Sequence, residues 1–123
     1  MRLSFEFKTN KIPSVNHTYY MGKNGVFKKK EVLIFQRDLS VLANAQAAIQ
    51  DIRFFKNEQL EVVLTFGVKN IRRDLDNMLK PVLDALQGYI FKNDCQIVRL
   101  VCERQTSKKP YEFVLVEASE WKN

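Results

Sequence analysis

Leu60-Glu61-Val62-Val63-Leu64-Thr65-Phe66-Gly67-Val68, with the segment that follows it, decides the fold. Leu60, Val62, Leu64, Phe66 and Val68 alternate with Glu61, Val63, Thr65 and Gly67, the two-residue period of a strand that buries one face. Residues 73–80 then read Arg-Asp-Leu-Asp-Asn-Met-Leu-Lys, and Leu75, Leu79, Val82, Leu83 and Leu86 recur at helical spacing as far as Gly88. A glycine there is a natural helix stop, since it accepts the left-handed backbone that closes the last turn. Pro81 lies inside the predicted helix, where it removes one backbone hydrogen bond and bends the axis unless the first turn is irregular. The unit is therefore strand, charged junction, helix.

Toward the N-terminus, Leu3, Phe5 and Phe7 alternate with Ser4, Glu6 and Lys8, a second half-buried strand. A polar and aromatic loop follows, Gly22 and Gly25 mark a turn, and Lys28-Lys29-Lys30 form a charge run. From about Lys29 to Asp51 there is no Gly or Pro; Phe35, Leu39, Leu42, Gln46 and Ile49 keep helical spacing, and the Ala-rich end supports a helix. Toward the C-terminus, Val98, Leu100 and Cys102 alternate with Arg99, Val101 and Glu103. Thr106-Ser107-Lys108-Lys109-Pro110 reads as a hairpin connection to a last strand marked by Tyr111, Phe113 and Leu115. The order β-α-β-α-β-β predicts one α+β domain over residues 1–123, its helices packed on a mixed β-sheet.

At 123 residues there is room for one real core and little more. Lys and Arg number 20 against 14 acids, and the net charge of +6 favours a polyanionic partner. No apolar run reaches the roughly 20 residues of a membrane span, so no membrane role is expected. The first residues alternate rather than forming an apolar signal core, and the chain reads as cytoplasmic. Cys95 and Cys102 would face opposite sides of one strand, so no disulfide is expected, and no Cys/His pattern suggests zinc.

The chemistry concentrates at Asp74 and Asp76, flanked by Arg73 and Lys80, with Asp94 following beyond the Gly88 turn. Like carboxylates held within about 4–6 Å repel each other unless a cation intervenes. Mg²⁺ takes hard oxygen ligands, usually one or two carboxylates completed by water and substrate phosphate. Arg and Lys are the matching phosphate donors. If Asp76 caps the helix, its free amides also suit a phosphate. Lys80 lies one turn above Asp76, and Asp84 one turn above Lys80, placed to pair with it and orient the ammonium. Three carboxylates from two adjacent elements suffice to hold Mg²⁺ and position a water against a phosphodiester, with Lys80 offsetting the developing charge. The plain alternative is a capped helix bearing a solvated Asp-Lys-Asp ladder. A calcium loop starting at Asp74 fails, because its sixth and twelfth positions are Leu79 and Ala85 rather than Gly and Glu. A haloacid-type phosphatase motif fails at Met78, where Thr or Val is wanted.

The run from Arg73 to Leu86, followed by Asn93-Asp94-Cys95-Gln96-Ile97-Val98, resembles the RusA family of Holliday junction resolvases. The shared pattern is Asp-Leu-Asp-Asn, a Lys, an Asp-Ala-Leu element, then Asp-Asp-x-Gln and an apolar residue. Pro13-Ser14-Val15-Asn16 followed by Tyr19-Tyr20 matches an early region of the same family, so the resemblance spans nearly the whole chain. It implies a homodimeric endodeoxyribonuclease that nicks two opposed strands of a four-way DNA junction, with Mg²⁺ as cofactor and Mn²⁺ as its substitute, in a bacterial or phage-infected cell and often in prophage recombination. By resemblance Asp74, Asp76 and Asp94 are metal ligands, Lys80 is the functional lysine, and Arg73 is a DNA-contacting base. One departure stands out: Asn93 occupies the place where many members carry the first Asp of the pair.

Lys28, Lys29 and Lys30 read either as DNA-phosphate contacts or as a solvated helix start, and Arg72 leans to the DNA side because it adjoins the motif. His17 has no partner in sequence and reads as structural or surface. Tyr19, Tyr20 and Phe27 either pin their loop to the core or stack on unpaired bases. Phe54 and Phe55 pack beneath a strand or in a subunit interface. Two function classes stay open: a junction-resolving nuclease, and a catalytically silent junction-binding protein of the same fold.

Overall fold

The computed structural model describes residues 1–14, 19–22 and 25–122, and for 19–22 and 25–28 the backbone alone. Six strands and two helices follow in the order β1 Arg2–Thr9, β2 Tyr19–Gly22, β3 Gly25–Lys28, α1 Lys30–Ile49, β4 Leu60–Val68, α2 Leu75–Leu86, β5 Ile97–Thr106 and β6 Glu112–Glu120. A short 3-10 turn over Asp94–Gln96 leads into β5. β2 and β3 form a small hairpin with Gly22 opposite Gly25, where the glycines predicted a turn.

The remaining strands make one mixed sheet in the order β1-β6-β4-β5. β6 is antiparallel to both of its neighbours, while β4 and β5 run parallel and are joined through α2. Parallel neighbours require such a crossover, because no tight turn reverses the chain twice. The fold is the predicted α+β domain with two helices on a mixed sheet.

One connection differs from its reading. The segment Thr106–Pro110 does not close a hairpin, because β4 lies between β5 and β6. The reason is burial. Leu60, Val62, Leu64, Phe66 and Val68 are all fully buried, so β4 takes the centre of the sheet. β5 carries residues that remain largely exposed and takes the edge. Alternation marks a strand but does not name its neighbour.

Both helices pack on the face formed by those β4 residues together with Leu3, Phe5, Phe7, Val114, Val116 and Ala118. From α1 come Phe35, Leu39 and Ala43, and from α2 come Met78, Val82, Ala85 and Leu86. Phe7 meets Phe35 edge-on, ring centres 5.4 Å apart. The predicted α1 stripe ends early, since Ile49 is exposed. Phe55 is fully buried beside Phe91, whereas Phe54 stays half exposed.

α2 tolerates Pro81 as its seventh residue. The proline's missing N–H deprives only the Asn77 carbonyl, one turn from the helix start, and its own carbonyl accepts from Gln36 of α1 at 3.1 Å. Gly88 adopts φ 87°, the left-handed conformation expected of the residue that ends α2. Both cysteines are free thiols.

Candidate active site

The β4–α2 junction is built from the backbone up. The side-chain oxygen of Asn70 accepts from the Arg72 amide at 3.0 Å and its carbonyl from the Arg73 amide at 3.2 Å, a turn closed by Asn70 itself. The chain then enters α2 with Asp74, not Asp76, at the N-cap. An aspartate there normally accepts an amide from the first turn, but Asp74 makes no such capping bond. Its Oδ2 instead accepts from the Asn77 side chain at 3.2 Å. Asp76 is exposed one turn-face away, in the first turn of the helix, where the helix dipole favours negative charge. The helix start thus presents two carboxylates to solvent, and neither is used as a cap.

Lys80 follows on the same helix. Its Nζ donates to Asp84 Oδ1 at 3.1 Å, the i,i+4 pair that the spacing predicts, and 62% of its side chain is exposed. Arg104 of β5 reaches across from the sheet edge; it shares a shallow pocket with Asp74, Asp76, Leu79 and Cys102. Burial pushes the Cys102 thiol above its ordinary value. On the other side of Asp74 opens a cleft of about 1250 Å³ between β1 and α1, lined by Lys8, Lys11, Lys29, Arg72, Asp74 and Asn77 among others.

The predicted residues divide by position. Asp74, Asp76 and Arg72 lie around the helix start, with Lys80 one turn further along α2. Lys29 and Lys30 sit at the N-terminus of α1, where Lys29 occupies the cap position without a side-chain bond, and Lys29 reaches the cleft. The side chain of Lys28, those of Tyr19, Tyr20 and Phe27, and residues Asn16 and His17 lie outside the described part of the molecule. Arg73 turns inward: its guanidinium meets Glu112 at 3.0 Å with 15% of the side chain exposed.

Asp94 stands apart. β4 and β5 run in register from Leu60 beside Ile97 to Val68 beside Thr106, so Asp94 lies by the start of β4 and Asp74 beyond its end. At about 3.3 Å per residue the strand between them spans roughly 25–30 Å. The Asp94 amide donates to Gln87 at 3.0 Å, tying this residue to the C-terminal end of α2. Among the described residues, no three acidic, histidine or cysteine side chains of one chain gather closely enough to hold a metal ion. Two carboxylates at the start of α2 nevertheless match what Mg²⁺ asks of a protein, with water and phosphate supplying the remaining oxygens.

Asn93 has a defined task. Its side chain accepts from the Cys95 amide at 3.0 Å and caps the 3-10 turn. Gln96 accepts from the Lys92 and Asn93 amides and donates to the Phe55 and Glu58 carbonyls, bracing that turn against the segment before β4. Asn and Asp cap almost equally well, so the exchange at Asn93 preserves the local structure.

A model of the family described as endodeoxyribonuclease RusA matches residues 9–117. The chain belongs to that family. Its members are Holliday junction resolvases, which act on branched DNA and generally depend on a divalent metal. The match runs from the last residue of β1 into β6 and takes in both helices, β4 and β5. No curated protein gives a match to the chain. No helix among the described residues is long and apolar enough to cross a membrane. Sequence reading passed over Glu112 and Arg104; both reach the site from distant strands, and only the sheet brings them near.

Proposed function

We propose that this chain is a Mg²⁺-dependent endonuclease of the cytoplasm, active as a homodimer, that resolves four-way DNA junctions by paired symmetric nicks in recombination and repair, as prophage-type resolvases do. The observation that carries the reading is the uncapped pair Asp74 and Asp76, exposed at the start of α2 between Arg104 and a cleft whose lining mixes basic and acidic side chains. A structural cap would use its carboxylate on the helix amides; Asp74 makes no such bond, and Asp76 is exposed.

In this reading Asp74 and Asp76 hold the metal, which supplies an activated water and polarises the scissile phosphate. Lys80, one turn along α2 from Asp76 and paired with Asp84, is assigned to offset charge that builds on the phosphate oxygens. Lys28, Lys29, Lys30 and Arg72 line the path of the DNA backbone. Lysines at the positive end of the α1 dipole are unfavourable there by a few tenths of a kcal/mol or more, and an anion relieves that cost. Affinity that falls by about 0.9 in log K per log salt for each neutralised phosphate is the expected signature.

The dimer explains both the symmetry of the cuts and the distance of Asp94. β5 pairs with β4 on one side only, leaving its outer edge open, and Val98 and Leu100 are 46% and 38% exposed beside it. An antiparallel pairing of two β5 edges about Val101 sets Arg99 opposite Glu103 of the partner subunit, and reciprocally. Such an isologous contact is self-complementary. It also carries Asp94 of the partner subunit toward the far end of β5, where Arg104 flanks Asp74. A Leu100→Cys variant then faces Cys102 of the partner subunit and forms an intersubunit disulfide; a variant that is dimeric yet never crosslinks there places the interface elsewhere.

Asp76→Asn tests the catalytic role. It removes negative charge beside DNA, so junction binding is retained or strengthened while cutting is lost. Loss of junction binding by the folded variant contradicts the role.

A further inference from the structure

Glu112 is the buried acid of this site. It opens β6, is 3% exposed, and lies on the inner side of the junction that positions Asp74. Its Oε1 accepts from the Ile12 amide at 2.8 Å and from the Arg73 guanidinium at 3.0 Å, and its Oε2 from the Lys69 amide at 2.8 Å. The second arm of Arg73 donates to the Ile12 carbonyl. From the opposite side, the Arg104 guanidinium donates to the Arg73 carbonyl at 2.7 Å. That carbonyl belongs to the peptide leading into Asp74. Four separate stretches of chain (the segment just after β1, the exit of β4, β5 and the start of β6) are thus tied to the residue before the first carboxylate.

This arrangement leaves Arg73 unsuited to a phosphate. Turning it outward would strand a buried carboxylate without its cation, a costly state in a protein interior. Arg72, one residue earlier, is exposed and lines the cleft together with Arg73 and Glu112, which are already paired to each other. We infer that Glu112 is a positioning residue which, through Arg73 as an internal strut, sets the backbone before Asp74 and so aims the Asp74–Asp76 pair. Arg73 borders the cleft but serves the site through its pairing with Glu112 rather than by touching DNA. The inference rests on the nuclease reading above.

The test compares Arg73→Lys, Glu112→Gln and Arg72→Ala with the wild type on a four-way junction. It reads binding stoichiometry, the salt dependence of affinity, and the single-turnover cutting rate at saturating enzyme with Mg²⁺. Arg73→Lys keeps a cation over Glu112 but loses the forked contact, so it folds even where Glu112→Gln does not. The strut predicts full binding stoichiometry and an unchanged salt slope for Arg73→Lys and Glu112→Gln, with cutting slowed about 10²-fold, the scale of a misplacement of about 1 Å. Arg72→Ala shows the opposite split, its salt slope falling by about 0.9 as one phosphate contact is lost. A role in folding alone would instead lower the stoichiometry in step with the rate.

Loss of slope in an Arg73→Ala variant that retains full stoichiometry makes Arg73 a phosphate ligand and overturns the inference. So does an unimpaired cutting rate in Arg73→Lys and Glu112→Gln when the wild type cuts normally. A wild type that neither binds nor cuts junctions overturns the nuclease reading and the strut together.

Discussion

Gly67 lies opposite Phe113 in the β4–β6 register, on the sheet face away from the helices. A Cβ added there would stand 2.1 Å from Cε1 and 2.3 Å from Cζ of the Phe113 ring. The strands are held by their pairing, so in Gly67→Ala the ring must leave its seat. Phe113 is now 8% exposed, and exposing a phenylalanine fully costs roughly 1.5–3 kcal/mol. The gain from replacing glycine within a strand returns about 0.5–1 kcal/mol. The net loss is about 1–2 kcal/mol, which for a domain of this size lowers Tm by roughly 4–8 °C. Thermal and urea unfolding followed by circular dichroism read this directly, the urea slope staying constant. In a Phe113→Ala background the ring is gone, and the same glycine change becomes neutral or stabilising. An equal loss in both backgrounds, or none in the wild-type background, refutes the account of this contact.

Two further outcomes follow from local geometry. Asn93→Ala removes the cap of the 3-10 turn and costs about 1 kcal/mol in urea unfolding, whereas Asn93→Asp stays within a few tenths of the wild type. Burial raises the Cys102 thiol, so its thiolate form, the reactive one, appears only at more alkaline pH than for an ordinary cysteine. Alkylation mapped by mass spectrometry at pH 8 should therefore label exposed Cys95 before Cys102, and the Cys102 rate should climb as pH rises further.

The parts of the fold legible in sequence are those governed by local period. β4 and α2 announce themselves by alternation and by helical spacing ended at Gly88, and the Lys80–Asp84 pair follows from helix geometry alone. Partner choice is another matter. The segment Thr106–Pro110 looks like a hairpin turn because strands flank it, yet the most buried strand displaces β5 to the edge. The site divides along the same line. Asp74, Asp76 and Lys80 belong to one helix, so their adjacency is visible in the chain. Glu112 and Arg104 lie 39 and 31 residues from Arg73 and reach it only through the sheet. Asp94 looks adjacent in sequence because one helix separates it from Asp74, but the parallel crossover carries it to the opposite end of the strands.

The most direct test of the central claim is strand-resolved cutting of a four-way junction with a mobile core, run with Mg²⁺ and with EDTA, for the wild type and Asp76→Asn. Metal-dependent nicks placed symmetrically on two opposed strands, and lost in Asp76→Asn, are the predicted result. Tight junction binding by the wild type without nicks, across several core sequences, would contradict it and leave a junction-binding protein of the same fold.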